Sequence, residues 1–562
     1  MLDAAVEKYL DDLIDYLEQE EQYTLDDIQK VSCLSDAEKV EKGWLIESAI
    51  CDGAVNDVFS FSVSENNTKL RPGDKVIMIN KSSGKKSEAT ILESTEHTVL
   101  IESGDIFALG ESLRIEIEGS ALQGPIIELS KKIKDKGIGN YWLDLLAKSG
   151  MIVQNRKDYI NPMNKVFIPH VFNHEQRTAC EEMFNAPQLS MLQGPPGTGK
   201  THVLATIAAI YAQAGNDVLV LSNTHQAVNN ALNAVAKKIP SLDIAKVGNE
   251  FKKEGLSGSV KNYGKFNTFI NHKKKGKSGT VLGMSYYASV INLGLRSQKF
   301  NPALIIMDEA GQMPLAFASL LGEFGAPSVL LIGDDRQMPP IFHEKLRGHA
   351  LSQSVFTFLC NKYPSCKSSL VTSYRMNEEI TKYVSTRFYE PDVKLKSADC
   401  AALRILPDVL TGKSVHADSR IQDILNSRCS IQRLNVSKGA DWEDYNEEEA
   451  HFTAELVSEA VSCGLRPEDV AVITPYRRQV RTIRQSLLAK YGGSSPMPLV
   501  DTVERLQGQD VEMIIISFCI TSDDFFNEQR DFVLNRNRLN VMFSRAKTKV
   551  VLLGSDKILS LC

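Results

Sequence analysis

Eight residues constrain this chain more than any others: GPPGTGKT at 194–201 fits the phosphate-loop pattern G-x-x-x-x-G-K-[ST]. The apolar run LSML (189–192) precedes it and a helical pattern follows, so the sequence predicts a strand, a tight loop and a helix in succession. Gly194, Gly197 and Gly199 free the backbone to curl until its N–H groups face phosphate oxygens, with Pro195, Pro196 and Thr198 completing the loop. The helix N-terminus adds a partial positive charge. Lys200 reaches toward the β- and γ-phosphates, and Thr201 offers a hydroxyl to Mg²⁺.

The rest of the chain supplies the sheet such a loop needs. After Phe167, apolar runs alternate with helical stretches: DVLVLS (217–222), ALIIM (303–307) and SVLLIG (328–333). A second set follows in SLVT (369–372), VAVIT (470–474), MIIISF (513–518) and KVVLLG (549–554). Runs this apolar suit parallel strands buried on both faces. Upstream the grammar differs. Val6, Leu10, Leu13 and Leu17 recur on one side of a helix, and Trp44 to Ile117 reads as short strands of period two between polar turns, a small barrel. The expected layout is a helical region at 1–42, a β-barrel at 43–120, a helical stalk at 121–164, and α/β blocks at 165–345 and 346–562, the first carrying a basic insertion at 251–278.

Three further motifs follow the loop. In ALIIMDEAGQM (303–313) the apolar run delivers Asp308 and Glu309 to the carboxyl end of a strand, where α/β sheets bind ligands. Asp308 can hold Mg²⁺ through water, and Glu309 can orient and deprotonate an attacking water. In LLIGDDRQMPP (330–340) the Gln337 amide can bond both a γ-phosphate and that water. In the second block SYRMN (373–377) carries Arg375, and RLNVMFSRAK (538–547) carries Arg538 and Arg545, seven residues apart on one helical face. Each signal alone is commonplace: a loop start, a tight turn, a surface ion pair. Their order after a phosphate loop reverses that balance. The acidic run DWEDYNEEEA (441–450) reads instead as a helix start, with Asn446 as N-cap and Glu449 at the capping-box position.

Charge decides where a nucleic acid could bind. With 64 basic and 70 acidic residues the chain carries −6, so it has no global basic field and any such site must be local. Residues 251–277 hold eight lysines and one glutamate, with Tyr263, Phe266 and Phe269 interspersed. Backbone contacts from Lys273, Lys274, Lys275 and Lys277 and base stacking are both available there, against the plain alternative of a solvated basic loop. The ten cysteines include no C-x-x-C pair, which argues against a zinc ribbon. The acidic N-terminus is no signal peptide and no apolar run approaches a membrane span, so the default compartment is cytoplasmic, or nuclear in a eukaryote.

Taken together, GPPGTGKT, SNTHQAVNNAL (222–232), GTVLGMS (279–285), DEAGQ (308–312), GDDRQMPP (333–340), SYRMN, TVERLQGQD (502–510) and RLNVMFSRAK stand in the order of superfamily 1 helicases. Over 165–556 the chain resembles their B-type branch, which includes the nonsense-mediated-decay RNA helicase and the immunoglobulin-mu-binding helicase. The resemblance implies an α/β fold of two tandem RecA-like P-loop domains that close on one shared ATP and open after hydrolysis, with the stalk and barrel as accessories. It implies that Gln176 reads adenine, Tyr374 stacks on the base, Arg375 contacts the γ-phosphate and Arg545 is the arginine finger. Asn223, Thr224, Thr280 and Thr502 fall in motifs that hold the strand's backbone, and Tyr476 lies in a further motif, ITPYRRQ (473–479). Asp510 stands where the branch usually has Glu, one methylene longer, which weakens a ribose contact. Neither a Cys/His-rich regulatory region nor a nuclease constellation is visible. The implied activity is an ATP-dependent helicase or translocase on single-stranded or tailed duplex DNA or RNA, moving 5′→3′. The alternative is a nucleotide-switched single-strand-binding subunit that turns over ATP without separating strands; the same ATP site serves both.

Overall fold

The apolar stripe at the N-terminus folds as its spacing dictates. Ala4–Ser32 is one helix, capped by the Asp3 carboxylate on the Ala5 N–H, and Val6, Leu10, Leu13 and Leu17 are buried. The computed structural model describes the chain except for residues 1, 56, 65, 67, 69, 71–73, 96, 121–122, 138, 152–171, 185–187, 249–254, 274–277, 293–299, 438–440, 492–496 and 504–509. Contacts divide it into two compact units: residues 1–192, 201–333 and 339–368, and residues 193–200, 334–338 and 369–562.

In the first unit, β1 (Leu45–Val55), β2 (Val58–Val63), β3 (Asp74–Asn80), β4 (Lys86–Ser94), β5 (Thr98–Glu102) and β6 (Ser112–Ser120) close into a barrel in the order β1-β2-β5-β4-β3-β6. It has a core of its own, with Phe61, Val76, Met78, Ile91 and Ile101 fully buried. Closure pairs every strand on both sides, so the barrel has no free edge.

The unit's main sheet has eight strands: β7 (Leu189–Gln193), β8 (Asp217–Ser222), β9 (Asp243–Val247), β10 (Lys261–Tyr263), β11 (Thr280–Ser285), β12 (Pro302–Met307), β13 (Ser328–Gly333) and β14 (Lys367–Ser369). Their order is β10-β9-β11-β8-β12-β13-β7-β14. The N-terminal helix packs into this sheet's core, where the hydroxyls of Tyr9 and Ser319 lie 2.6 Å apart and Trp142 Nε1 donates to the Ala318 carbonyl at 2.8 Å. The last boundary between the units along the chain lies at 368/369. The helix Val355–Lys362 buries Val355, Phe356 and Leu359 in the first core, and β14 joins the first sheet.

The second unit has a five-stranded sheet of β17 (Ile431–Leu434), β18 (Val470–Ile473), β19 (Leu499–Asp501), β20 (Val511–Ser517) and β21 (Ala546–Leu553), ordered β17-β21-β20-β18-β19 with every neighbouring pair parallel. The expected strand 369–372 is interrupted. Its start belongs to β14, and its end begins β15 (Thr372–Ser373), which pairs with β16 (Lys396–Ser397).

Glu449 departs from an ordinary helix start. Asn446 caps the helix Glu447–Ser462 as expected, accepting from the Glu449 N–H at 3.0 Å. The Glu449 side chain, however, is fully buried and accepts from the Ser517 hydroxyl at 2.7 Å and the Cys519 N–H at 3.0 Å. Burial pushes its carboxyl from the ordinary 4.5 up to about 7, the two hydrogen bonds pulling the other way. The folded state therefore holds a proton that the unfolded chain releases. The stability this proton confers is present below about pH 4 and is lost as pH rises through about 7. Glu449→Gln mimics the protonated form. The variant is expected to be more stable than wild type by about 3 kcal/mol at pH 8, with the gap closing near pH 5. Denaturant melts at the two pH values check this, and an equal gap at both would refute it.

Candidate active site

Strand β7 leads into the phosphate loop, and the loop's own contacts explain its glycines. A Cβ on Gly194 would stand 2.1 Å from Lys200 Cγ. Gly197 has φ +74°, and a Cβ there would meet Arg375 Cβ at 2.5 Å and Ser373 Oγ at 2.7 Å. Only glycine fits that left-handed turn under a neighbouring backbone. The Thr198 hydroxyl donates to the Pro195 carbonyl at 2.7 Å, the Ser373 hydroxyl to the Pro196 carbonyl at 3.0 Å, and the Tyr374 N–H to the Gly197 carbonyl at 2.8 Å. The Lys200 ammonium bends over the loop to the Gly194 carbonyl at 2.6 Å. Lys200 opens the helix Lys200–Gln213, whose residues from Val203 to Ala212 are all buried. This cradle, with no room for a Cβ at Gly194 or Gly197 and placed at a helix N-terminus, fits a phosphate chain.

Asp308 and Glu309 follow β12, as the apolar run predicts. Asp308 is buried, its N–H donates to the Leu221 carbonyl at 2.8 Å, and its carbonyl accepts from the Tyr286 hydroxyl. Thr201 and Asp308 are the oxygen donors that would take Mg²⁺. Glu309 has φ 53° and ψ 38°, a left-handed backbone for a residue with a full side chain. Such a conformation costs about 1–3 kcal/mol and persists where the surroundings dictate it. Here it turns the chain directly into the short helix Ala310–Gln312.

The segment 334–338 forms a network that the sequence did not reveal. The Asp334 carboxylate accepts from the Tyr389 hydroxyl at 2.6 Å and the Gln337 amide at 2.7 Å, and Asn540 Nδ2 donates to the Tyr389 hydroxyl at 2.9 Å. Burial raises the Asp334 carboxyl above its ordinary range, while nearby Lys200 lowers it. Asn537 Nδ2 donates to the Gln337 carbonyl at 2.5 Å. Gln337 is thus positioned through its amide and its backbone alike.

Among the arginines, the Arg375 guanidinium pairs with Asp510 and donates to the Ser544 carbonyl at 2.8 Å. Asp510, expected near a ribose, is therefore a partner of Arg375. Arg545 is the buried C-cap of the helix Arg536–Ser544, and Arg538 lies over the Phe532 ring at 3.8 Å. Tyr374 is 39% exposed. Gln176 sits in the first turn of the helix His174–Phe184, where its Oε1 accepts from the Asn173 N–H at 3.3 Å.

The strand-binding expectations divide. Asn223 follows the carboxyl end of β8, and Thr224 N-caps the helix His225–Lys238. Thr502 follows β19. Thr280 does not fit its expected role. It is the first residue of β11, at the opposite end of the sheet, and its buried hydroxyl donates to Asp243 at 2.9 Å. The basic stretch is corrected too. Phe266 and Phe269 are buried with Phe300 in the core, and Tyr263 packs against Phe269 at 5.8 Å, so these rings serve packing rather than bases. Lys273 is 11% exposed and pairs with Asp217 at 3.1 Å, an internal ion pair rather than a phosphate contact. Lys274, Lys275 and Lys277 lie outside the described residues, as do residues 504–509 of TVERLQGQD. Among the described residues no cluster of three or more His, Cys, Asp or Glu could hold a metal, and no helix is long and apolar enough to cross a membrane.

Comparison with known proteins adds to this geometry. Two families, each described as an AAA domain, match residues 171–356 and 351–557. The DNA replication ATP-dependent helicase/nuclease DNA2 of Saccharomyces cerevisiae is 27% identical over 76% of this chain and 29% of its own length. The Homo sapiens protein of the same name is 26% identical over 87% of this chain and 48% of its own. That of Bos taurus is 30% identical over 69% and 37%. The chain thus spans less than half the length of these relatives.

Proposed function

We propose that this chain is a superfamily 1 helicase motor, an ATP-hydrolysing enzyme that uses the energy of hydrolysis to move 5′→3′ along a nucleic-acid single strand and part duplexes ahead of it. The motif order, the two matched domains and the helicases among its relatives all support that reading. The observation that carries it is the phosphate loop, with no room for a Cβ at Gly194 or Gly197, held at Pro196 and Gly197 against Ser373, Tyr374 and Arg375. A loop that only bound nucleotide would need no such contact with the motif bearing the γ-phosphate arginine.

In this reading the loop N–H groups and Lys200 bind the phosphates, Tyr374 and Gln176 hold the base, and Thr201 and Asp308 keep the Mg²⁺ that offsets phosphate charge. Glu309 orients the attacking water and takes its proton. Gln337, held by Asp334, senses the γ-phosphate. Arg375 and Arg545 stabilise charge on the transferring phosphoryl group. Asn223, Thr224 and Thr502 hold the strand by its backbone, which is sequence-blind, so either DNA or RNA can be gripped. The likeness to the nonsense-mediated-decay branch supplies the direction. The nuclease activity in the relatives' name is not carried over. Unwinding of matched DNA and RNA duplexes bearing a 5′ or a 3′ single-stranded tail tests the proposal. The 5′-tailed substrates are expected to be opened in an ATP-dependent manner. A preference for 3′ tails would overturn the direction, and ATP turnover without strand separation on any substrate would overturn the helicase.

A further inference from the structure

In the first unit, Glu309 and the segment after β8 meet through one side chain. Asn223 Nδ2 donates to Gln312 Oε1, and Gln312 Nε2 donates to Glu309 Oε2 at 3.5 Å. A carboxamide has one acceptor end and one donor end, so the bond from Asn223 fixes which end of Gln312 faces the carboxylate. The backbone holds the rest in place. The Gln312 N–H bonds the Glu309 carbonyl at 2.9 Å across the left-handed turn, and Asn223 lies between the last residue of β8 and the N-cap Thr224. The amide of Gln312 is the element free to turn.

We propose that Gln312 is a positioning residue that reports strand occupancy at Asn223 to Glu309, restraining the carboxylate until a phosphodiester engages Asn223. The inference rests on the helicase reading and names how that site is regulated. The chemistry is competition for a donor. A phosphodiester oxygen is charged and accepts hydrogen bonds roughly twice as strongly as a neutral amide oxygen. Once the Asn223 amide turns to phosphate, Gln312 loses the bond that fixes its orientation, and the Glu309 oxygen it held becomes available to water. No base edge takes part, so the signal is the same for every sequence.

The test is steady-state ATP turnover of the full chain carrying Gln312→Leu, without and with saturating oligothymidylate. Strand-free turnover is expected to rise roughly tenfold, the effect of one hydrogen bond. The saturated rate should stay within about twofold of wild type, the affinity for the oligonucleotide should be unchanged, and the stimulation ratio should collapse toward unity. General damage would lower both rates and cannot raise the first. Gln312→Met, which keeps an unbranched side chain, carries the same expectation should the leucine variant unfold. Parallel loss of both rates, or stimulation left intact, overturns the proposal. A wild type that no strand stimulates overturns the helicase reading itself and the relay with it, which distinguishes the two failures.

Discussion

Replacing Lys200 with alanine is expected to lower ATP turnover by roughly three orders of magnitude or more, because the proposed mechanism loses the positive charge that meets the transferring phosphate. The fold should survive. The side chain's hydrogen bond in the structure is to the Gly194 carbonyl, and the helix it begins is anchored by Val203 to Ala212 rather than by Lys200. Phosphate release under saturating ATP and single strand measures the first expectation, and a thermal melt within a few degrees of wild type the second. Turnover within tenfold of wild type would remove the loop from the reaction.

Arg545→Ala should be nearly as severe, lowering kcat by about 10³–10⁵-fold while ATP affinity changes little, since an arginine finger acts on the transition state more than on the ground state. Arg375→Ala provides the comparison. Its guanidinium is already paired with Asp510 and the Ser544 carbonyl, so part of its charge is neutralised and its removal should cost less. A near-wild-type kcat for Arg545→Ala, with a melt showing the buried site intact, would sink its assignment.

The sequence was most legible where a local pattern has one physical solution. The glycine spacing of the phosphate loop, the apolar runs ending at Asp308 and Gly333, and the stripe from Val6 to Leu17 each took the predicted form. It failed where the deciding fact is a partner far away in the chain. β9 is hidden in the sequence because Lys246, fully buried, interrupts its apolar run. A basic stretch has the same composition whether Lys273 faces solvent or Asp217. The string GTVLGMS does not say at which end of its strand Thr280 stands. Tyr389 and Asn540 carry no motif at all, and only the fold brings them to Asp334. Asn446 is the N-cap that the sequence indicates, but the buried Glu449 carboxyl turns to Ser517 and Cys519 instead of closing a capping box, a depth the sequence does not show.

The strand orders of the first unit have a consequence for vectorial synthesis. All six barrel strands lie between Leu45 and Ser120, so the barrel can close as soon as that stretch has left the ribosome. The main sheet cannot. β7 ends at Gln193, yet its neighbours β13 and β14 begin only at Ser328 and Lys367. The strand that feeds the phosphate loop must wait for well over a hundred further residues, several seconds at cellular elongation rates, with its backbone N–H and C=O groups unpaired on both edges. Nascent chains arrested between these points should therefore carry a finished barrel beside an adhesive, unfinished sheet, the interval in which chaperone capture matters most.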